Sequence, residues 1–218
     1  MARIGGEERQ LTEMNQVWRD ESRLASPETV PLTRARASRS TAWVMRPSGF
    51  VPGRRYPALL SIHGGPHGPV RPRVLRRSSR CTAGAGYAVI YANPRGSHGV
   101  WREAFTQAVV GDWGGGDYAD VMAVLDEALR RYPFIDPDRL GILGGSYGGF
   151  LDELDRGGTL DRFKAACSER AVNCQYTMFG TERHRLELQR GRARRRDAVG
   201  RSWRATSSAR PSRTPRTS

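Results

Sequence analysis

The chain has 218 residues, enough to bury one sizeable core and no more, so a single α/β domain is expected. A net charge of +14 ordinarily points to an acidic partner such as nucleic acid, but the cationic residues are all arginine except Lys164, and residues 183–218 alone hold 12 arginines against Glu187 and Asp197. The charge belongs mainly to one tail, which disfavours nucleic acid as a partner of the domain. No apolar run reaches membrane-spanning length and no basic start leads into an apolar stretch, so no membrane partner and a cytoplasmic location are expected. Cys81, Cys167 and Cys174 form no CxxC pair and are expected as free thiols.

In chain order, residues 1–40 read as the remnant of an N-terminal region or linker and run into a basic island, "TRARASRST", from Thr33. "AWVMRP" and "YPALLSI" are short strand candidates, and a second island, "PVRPRVLRRSSRCT", follows from Pro69. "GYAVIYANPRGS" reads as a buried strand ending in a turn. "DYADVMAVLDEALRRY" places Val121, Leu125, Ala128 and Leu129 on one helical face, with Asp117 expected as N-cap and Arg130 and Arg131 at the negative end of the dipole. "DPDRLGILGG" then turns into a strand that delivers Ser146. Strand, helix, strand with a reactive residue at the strand's C-terminal edge is the layout of a doubly wound, mostly parallel sheet with flanking helices.

The stretch "GILGGSYGGF", residues 141–150, sets Ser146 between paired glycines directly after an apolar run. A sharp strand-to-helix elbow needs this arrangement, because the side chain is thrust into a cleft at backbone angles that crowd its neighbours. Upstream, "SIHGGPHG" at 61–68 follows a strand where such a fold carries a loop donating a backbone N–H to an oxyanion, and Gly64 and Gly65 allow that backbone to approach a substrate closely. Together with "YANPRGSHG", "GDWGGGDYADV", "IDPDRLGILGGSYGGF" and "DRFKAACSERAVN", these motifs resemble the catalytic domain of the prolyl oligopeptidase (S9) family of serine peptidases, above all its acylaminoacyl-peptidase-like and dipeptidyl-peptidase-like branches.

The resemblance covers about residues 41–181 with interruptions and implies a partial α/β-hydrolase fold there. It implies Ser146 as nucleophile towards a peptide substrate, with the N–H of Tyr147 and that of Gly64 or Gly65 as the oxyanion hole. Neither a metal nor an organic cofactor is implied. Members of the family usually carry a β-propeller before the hydrolase domain, of which "RQLTEMNQVW" is at most the last strand.

A Ser-Asp-His order is required in this fold, yet the one histidine after Ser146 is His184, 38 residues on and inside the arginine-rich tail. His63 and His67 suit the oxyanion loop and His98 a turn, so the triad is incomplete as written and the chain is expected to be inactive. Shifted reading frames are the expected common cause of this departure. "TERHRL" from Thr181 can be encoded ACC GAG CGA CAT CGG CTG, and with those codons it becomes "TSDIGW" when the first G after ACC is removed, which resembles the family's continuation after "MFG". "RVLRR" and "SSRCT" in the second island give "VFFD" and "FQVY" in shifted frames, and "DELDRG" from Asp152 gives "TSWIV". Residues 182–218 are accordingly expected to be an out-of-frame, disordered tail. Two other readings exist: a non-catalytic basic fragment that binds nucleic acid through this tail, which has a lone Trp203 for stacking, and an esterase or lipase of the same fold. Pro66 and His67 after "HGG" favour the peptidase.

Overall fold

The computed structural model describes residues 12, 14, 16–17, 26–32, 40–70, 77–98, 103–158, 162–174 and 181, with the side chains of 77–78 and 153–158 left aside. His184, Trp203 and the tail from 182 lie outside the described residues, as do most of the first island and "MFG".

Strands β1 (Pro27–Val30), β2 (Thr41–Met45), β3 (Tyr56–Ile62), β4 (Ala88–Asn93), β5 (Ile135–Gly145) and β6 (Ala165–Glu169) form one sheet in the order β1-β2-β4-β3-β5-β6. β1, β2 and β4 pair antiparallel, whereas β4, β3, β5 and β6 are parallel. Parallel neighbours need a crossover. Helix α1 (Arg77–Gly84) lies between β3 and β4, α2 (Glu103–Gln107) and α3 (Gly116–Arg131) between β4 and β5, and α4 (Tyr147–Gly158) between β5 and β6. From β3 the chain steps to β4 on one side and later to β5 on the other, so the order reverses around β3. In an open α/β sheet the crevice beyond the strand ends at such a reversal is where ligands sit.

The pattern of residues explains the layers. β4 is buried along its whole length, as the unbroken apolar run "AVIYA" requires, while β3 alternates, with Tyr56, Ala58, Leu60 and Ile62 buried and Leu59 and Ser61 half-buried. The larger core packs those β3 residues with Ala88, Ile90, Leu140 and Ile142 against Val121, Val124, Leu125 and Ala128 of α3 and Leu151 of α4. Each buried Val, Leu or Ile among them contributes about 1.5–3 kcal/mol. On the other face Trp43, Met45, Val89 and Tyr91 pack against Ala83 of α1, with Trp43 and Tyr91 stacked at 5.3 Å. No helix among the described residues is long and apolar enough to cross a membrane.

Four elements add to the layout read from the sequence or differ from it. Pro27–Val30, within the stretch expected as remnant or linker, is an edge strand of the sheet, and Val30 enters the core. Its four residues begin with proline and carry no alternation, so nothing marks them before β2 offers a partner. α2 and β6 likewise lack a periodic signature. Finally, Asp117 is not the cap of α3. The helix begins at Gly116, whose N–H donates to Asp112 Oδ2 at 2.9 Å, and Asp117 lies buried within the first turn.

Candidate active site

Ser146 stands at the junction of β5 and α4 with φ of 60°, one of two described non-glycine residues at positive φ. L-residues are strained there, and the surroundings hold the conformation in place. The Ser146 N–H donates to the Glu169 carbonyl of β6 at 2.9 Å, and its own carbonyl accepts the Phe150 N–H at 3.0 Å as α4 begins. The flanking glycines have separate reasons. A Cβ at Gly144 would lie 2.4 Å from the Gly148 carbonyl group, and one at Gly148 would lie 2.2 Å from the Ile62 carbonyl oxygen. Strand, elbow and helix are therefore pressed together more tightly than any side chain permits.

The loop after β3 comes to the same place. A Cβ at Gly64 would lie 3.6 Å from Ser146 Cβ and 3.1 Å from the Gly145 carbonyl oxygen, so the Gly64 backbone lies against the serine. Gly65, next along, is exposed and adopts φ of 142°. His63 Nδ1–H donates to the Gly64 carbonyl at 2.8 Å, and Ser97 Oγ–H donates to His63 Nε2 at 3.0 Å. His67 Nδ1–H donates to the Gly96 carbonyl at 2.8 Å, and the His98 N–H to the His67 carbonyl at 2.9 Å. These bonds staple the loop to the turn after β4. Of the residues expected at the site, Ser146, Tyr147 and Gly64 are adjacent, with Gly65 one step away.

Tyr147 points away from the cleft, and here the sequence held more than its motifs disclosed. Its ring is buried edge-on against Trp113 at 4.9 Å, and its hydroxyl donates to Asp117 Oδ2. Asp117 also accepts the N–H of Gly114 at 3.1 Å and of Tyr118 at 2.9 Å. Asp120, one helical turn on, takes a two-pronged ion pair from Arg95, with Nε and Nη2 each 2.8 Å from a carboxylate oxygen. "GDWGGGDYADV" and "YANPRGS" thus brace the elbow from behind. Such roles need the fold, because the spacing of Asp117 and Asp120 alone reads as an ordinary acidic helix start.

Burial raises the Asp117 carboxyl above its ordinary value, opposed by the Tyr147 hydroxyl, and burial likewise raises the Tyr147 phenol. An acid with a raised folded pKa lends its full stability below the unfolded value of about 3.9 and loses it as pH rises through the folded one. We expect the stability of the native chain relative to Asp117→Asn to fall as pH climbs above about 4, measured by urea denaturation at each pH. A pH-independent difference would remove Asp117 as a titrating brace.

Comparison with known proteins agrees with this geometry. An uncharacterized peptidase of Bacillus subtilis, YuxL, is 44% identical over 177 residues, covering 81% of this chain and 26% of its own. Dipeptidyl-peptidase 5 of Schizosaccharomyces pombe is 32% identical over 144 residues, covering 65% of this chain and 21% of its own. The acylaminoacyl peptidase of Pyrococcus horikoshii superposes with a TM-score of 0.84 at 27% identity, covering 93% of this chain and 32% of that one. The chain thus spans a fifth to a third of the length of these relatives. The model of the prolyl oligopeptidase family matches residues 75–210, which include β4, the braced elbow and β6. That match takes in more than half of the sequence, and the chain belongs to the prolyl oligopeptidase family.

Proposed function

We propose that this chain is catalytic-domain sequence of a serine peptidase that cleaves short peptides through an acyl-enzyme on Ser146. The observation that carries this reading is the strained Ser146 at the elbow, with the Gly64 backbone laid against it. The peptidase names of the relatives above support it. Ser146 Oγ attacks the peptide carbonyl carbon, and the N–H groups of Tyr147 and of Gly64 or Gly65 receive the charge that develops on oxygen. The C–N bond then breaks, the amine leaves with a proton, and water hydrolyses the ester.

Proton transfer in both steps calls for a histidine oriented by an aspartate. In the sequence as written no Asp-His pair follows Ser146 at the spacing of this fold, and His63 and His67 are committed to the loop. These 218 residues therefore supply the nucleophile and the oxyanion donors of the proposed reaction but not its Asp-His pair, and this stretch by itself is expected to be unreactive.

A fluorophosphonate probe tests the point. Labelling forms a bond from Ser146 Oγ to phosphorus and expels fluoride, with the hydroxyl proton lost to a base. The chain as written is expected to label no faster than Ser146→Ala. Rapid labelling that vanishes in Ser146→Ala would restore a working base. Rapid labelling retained in that variant would move the nucleophile elsewhere.

A further inference from the structure

Arg170 is the second of the two described non-glycine residues at positive φ, at 40°, and it lies against the first. The chain leaving β6 is bonded to Ser146 on both sides of it: the Glu169 carbonyl accepts the Ser146 N–H at 2.9 Å, and the Val172 N–H donates to the Ser146 carbonyl at 3.4 Å. Two bonds to one residue oblige Arg170 and Ala171 to turn sharply between them. The turn is packed from the other side as well, since a Cβ at Gly149 would lie 2.9 Å from Ala171 Cβ. Backbone strain of this kind persists only where the surroundings over-determine it, and it gathers at functional sites.

The turn also decides where the side chain goes. A Cβ at Gly145 would lie 3.0 Å from Arg170 Nη2 and 3.2 Å from its Cζ, so the guanidinium covers Gly145, the residue before Ser146. Nη1 donates to Glu169 Oε2 at 2.6 Å, which anchors the group, while Nε and Nη2 have no hydrogen-bond partner among the described residues. Both side chains of the pair are more than half exposed, so these donors are open to a ligand. The pair as a unit carries no net charge. A neutral carbonyl can accept from it unopposed, whereas a carboxylate meets the charge of Glu169.

We propose that Arg170 is a substrate-binding residue, donating from Nε or Nη2 to a backbone carbonyl of the peptide next to the scissile bond, and that this position takes a peptide carbonyl in preference to a free carboxylate. The inference rests on the proposed reaction at Ser146. The reach fits, because consecutive Cα atoms lie about 3.8 Å apart and an extended peptide advances about 3.3–3.6 Å per residue, so a group over Gly145 stands about one substrate residue from Ser146.

The test is titration of the full, isotope-labelled chain with acetyl-alanyl-alanine amide and with the corresponding free acid, read from the backbone amide resonances of Gly145 and Ser146. The amide is expected to shift both resonances saturably and to bind more tightly than the acid. Arg170→Met, which keeps the length without the donors, is expected to weaken the amide about fivefold or more. Arg170→Gly, which adopts φ of 40° without strain, is expected to do the same and serves where methionine upsets the turn. Glu169→Gln, which leaves the guanidinium unneutralised, is expected to turn the preference to the acid, a reversal that a structural arginine would not produce. Amide binding of native strength in both Arg170 variants, with Ser146 still shifting, would overturn the proposal and leave the reading of the elbow intact. Acid bound as tightly as the amide by the native chain would overturn the neutral acceptor. Neither resonance moving with either peptide would overturn the proposal together with the reading of the elbow as a peptide site.

Discussion

Gly148→Ala is expected to destabilise the chain by about 3 kcal/mol or more, a large part of the 5–15 kcal/mol that holds an ordinary domain. The added Cβ would lie 2.2 Å from the Ile62 carbonyl oxygen and 2.9 Å from that of His63. Both are backbone atoms at the end of β3, and Ile62 is still paired with Gly144 across the sheet. Neither can retreat as the tip of a flexible side chain could. Relief would have to come from α4 lifting off β3, which would pull Tyr147 from Trp113 and its hydroxyl from Asp117. Gly84→Ala is the matched control, since a Cβ there meets nothing within 4 Å at the end of α1. Urea denaturation followed by far-ultraviolet circular dichroism should show a much lower midpoint for Gly148→Ala and little change for Gly84→Ala. Equal midpoints would mean that the elbow is not packed as described.

The same contact explains what the sequence could disclose. The glycines around Ser146 are legible because close backbone approach tolerates no other residue, and "SIHGGPHG" is legible for the same reason on the facing loop. β4 and α3 announce themselves by an unbroken apolar run and a helical stripe. β1 does not, because four residues at a sheet edge owe their conformation to β2. On local grounds Asp117 reads as a cap, an acidic residue before an apolar helix. Burial against Tyr147 overrides that preference, and Asp112, five residues earlier, supplies the capping oxygen. The pairing of Arg95 with Asp120 spans 25 positions, a separation at which no local pattern joins two residues. Motifs thus mark where backbones touch, whereas the polar bracing behind them depends on which helix the fold lays beside which strand.

Restoring the reading frame is expected to have the largest effect of all. An encoding DNA with the frame corrected at the second island, at codons 152–157 and after Thr181 should specify "TSDIGW" and continue to an aspartate and then a histidine. Loss of triad members costs serine peptidases about 10⁴–10⁶-fold in rate, so the restored enzyme should react with a fluorophosphonate at least about 10³ times faster than the chain as written. Ser146→Ala in the restored enzyme should abolish that reaction. The same correction acts on stability. In the shifted frame read above it would replace Asp152, which is fully buried on α4, with threonine. Taking a carboxylate out of the interior is expected to raise the urea midpoint. Faster labelling together with a higher urea midpoint would tie both defects to one cause. Resequencing supplies the decisive control: if high-accuracy reads return the frame as written, or if the corrected frame contains no Asp-His pair after Ser146, the common cause is refuted and the oxyanion loop and elbow stand in this chain without a base.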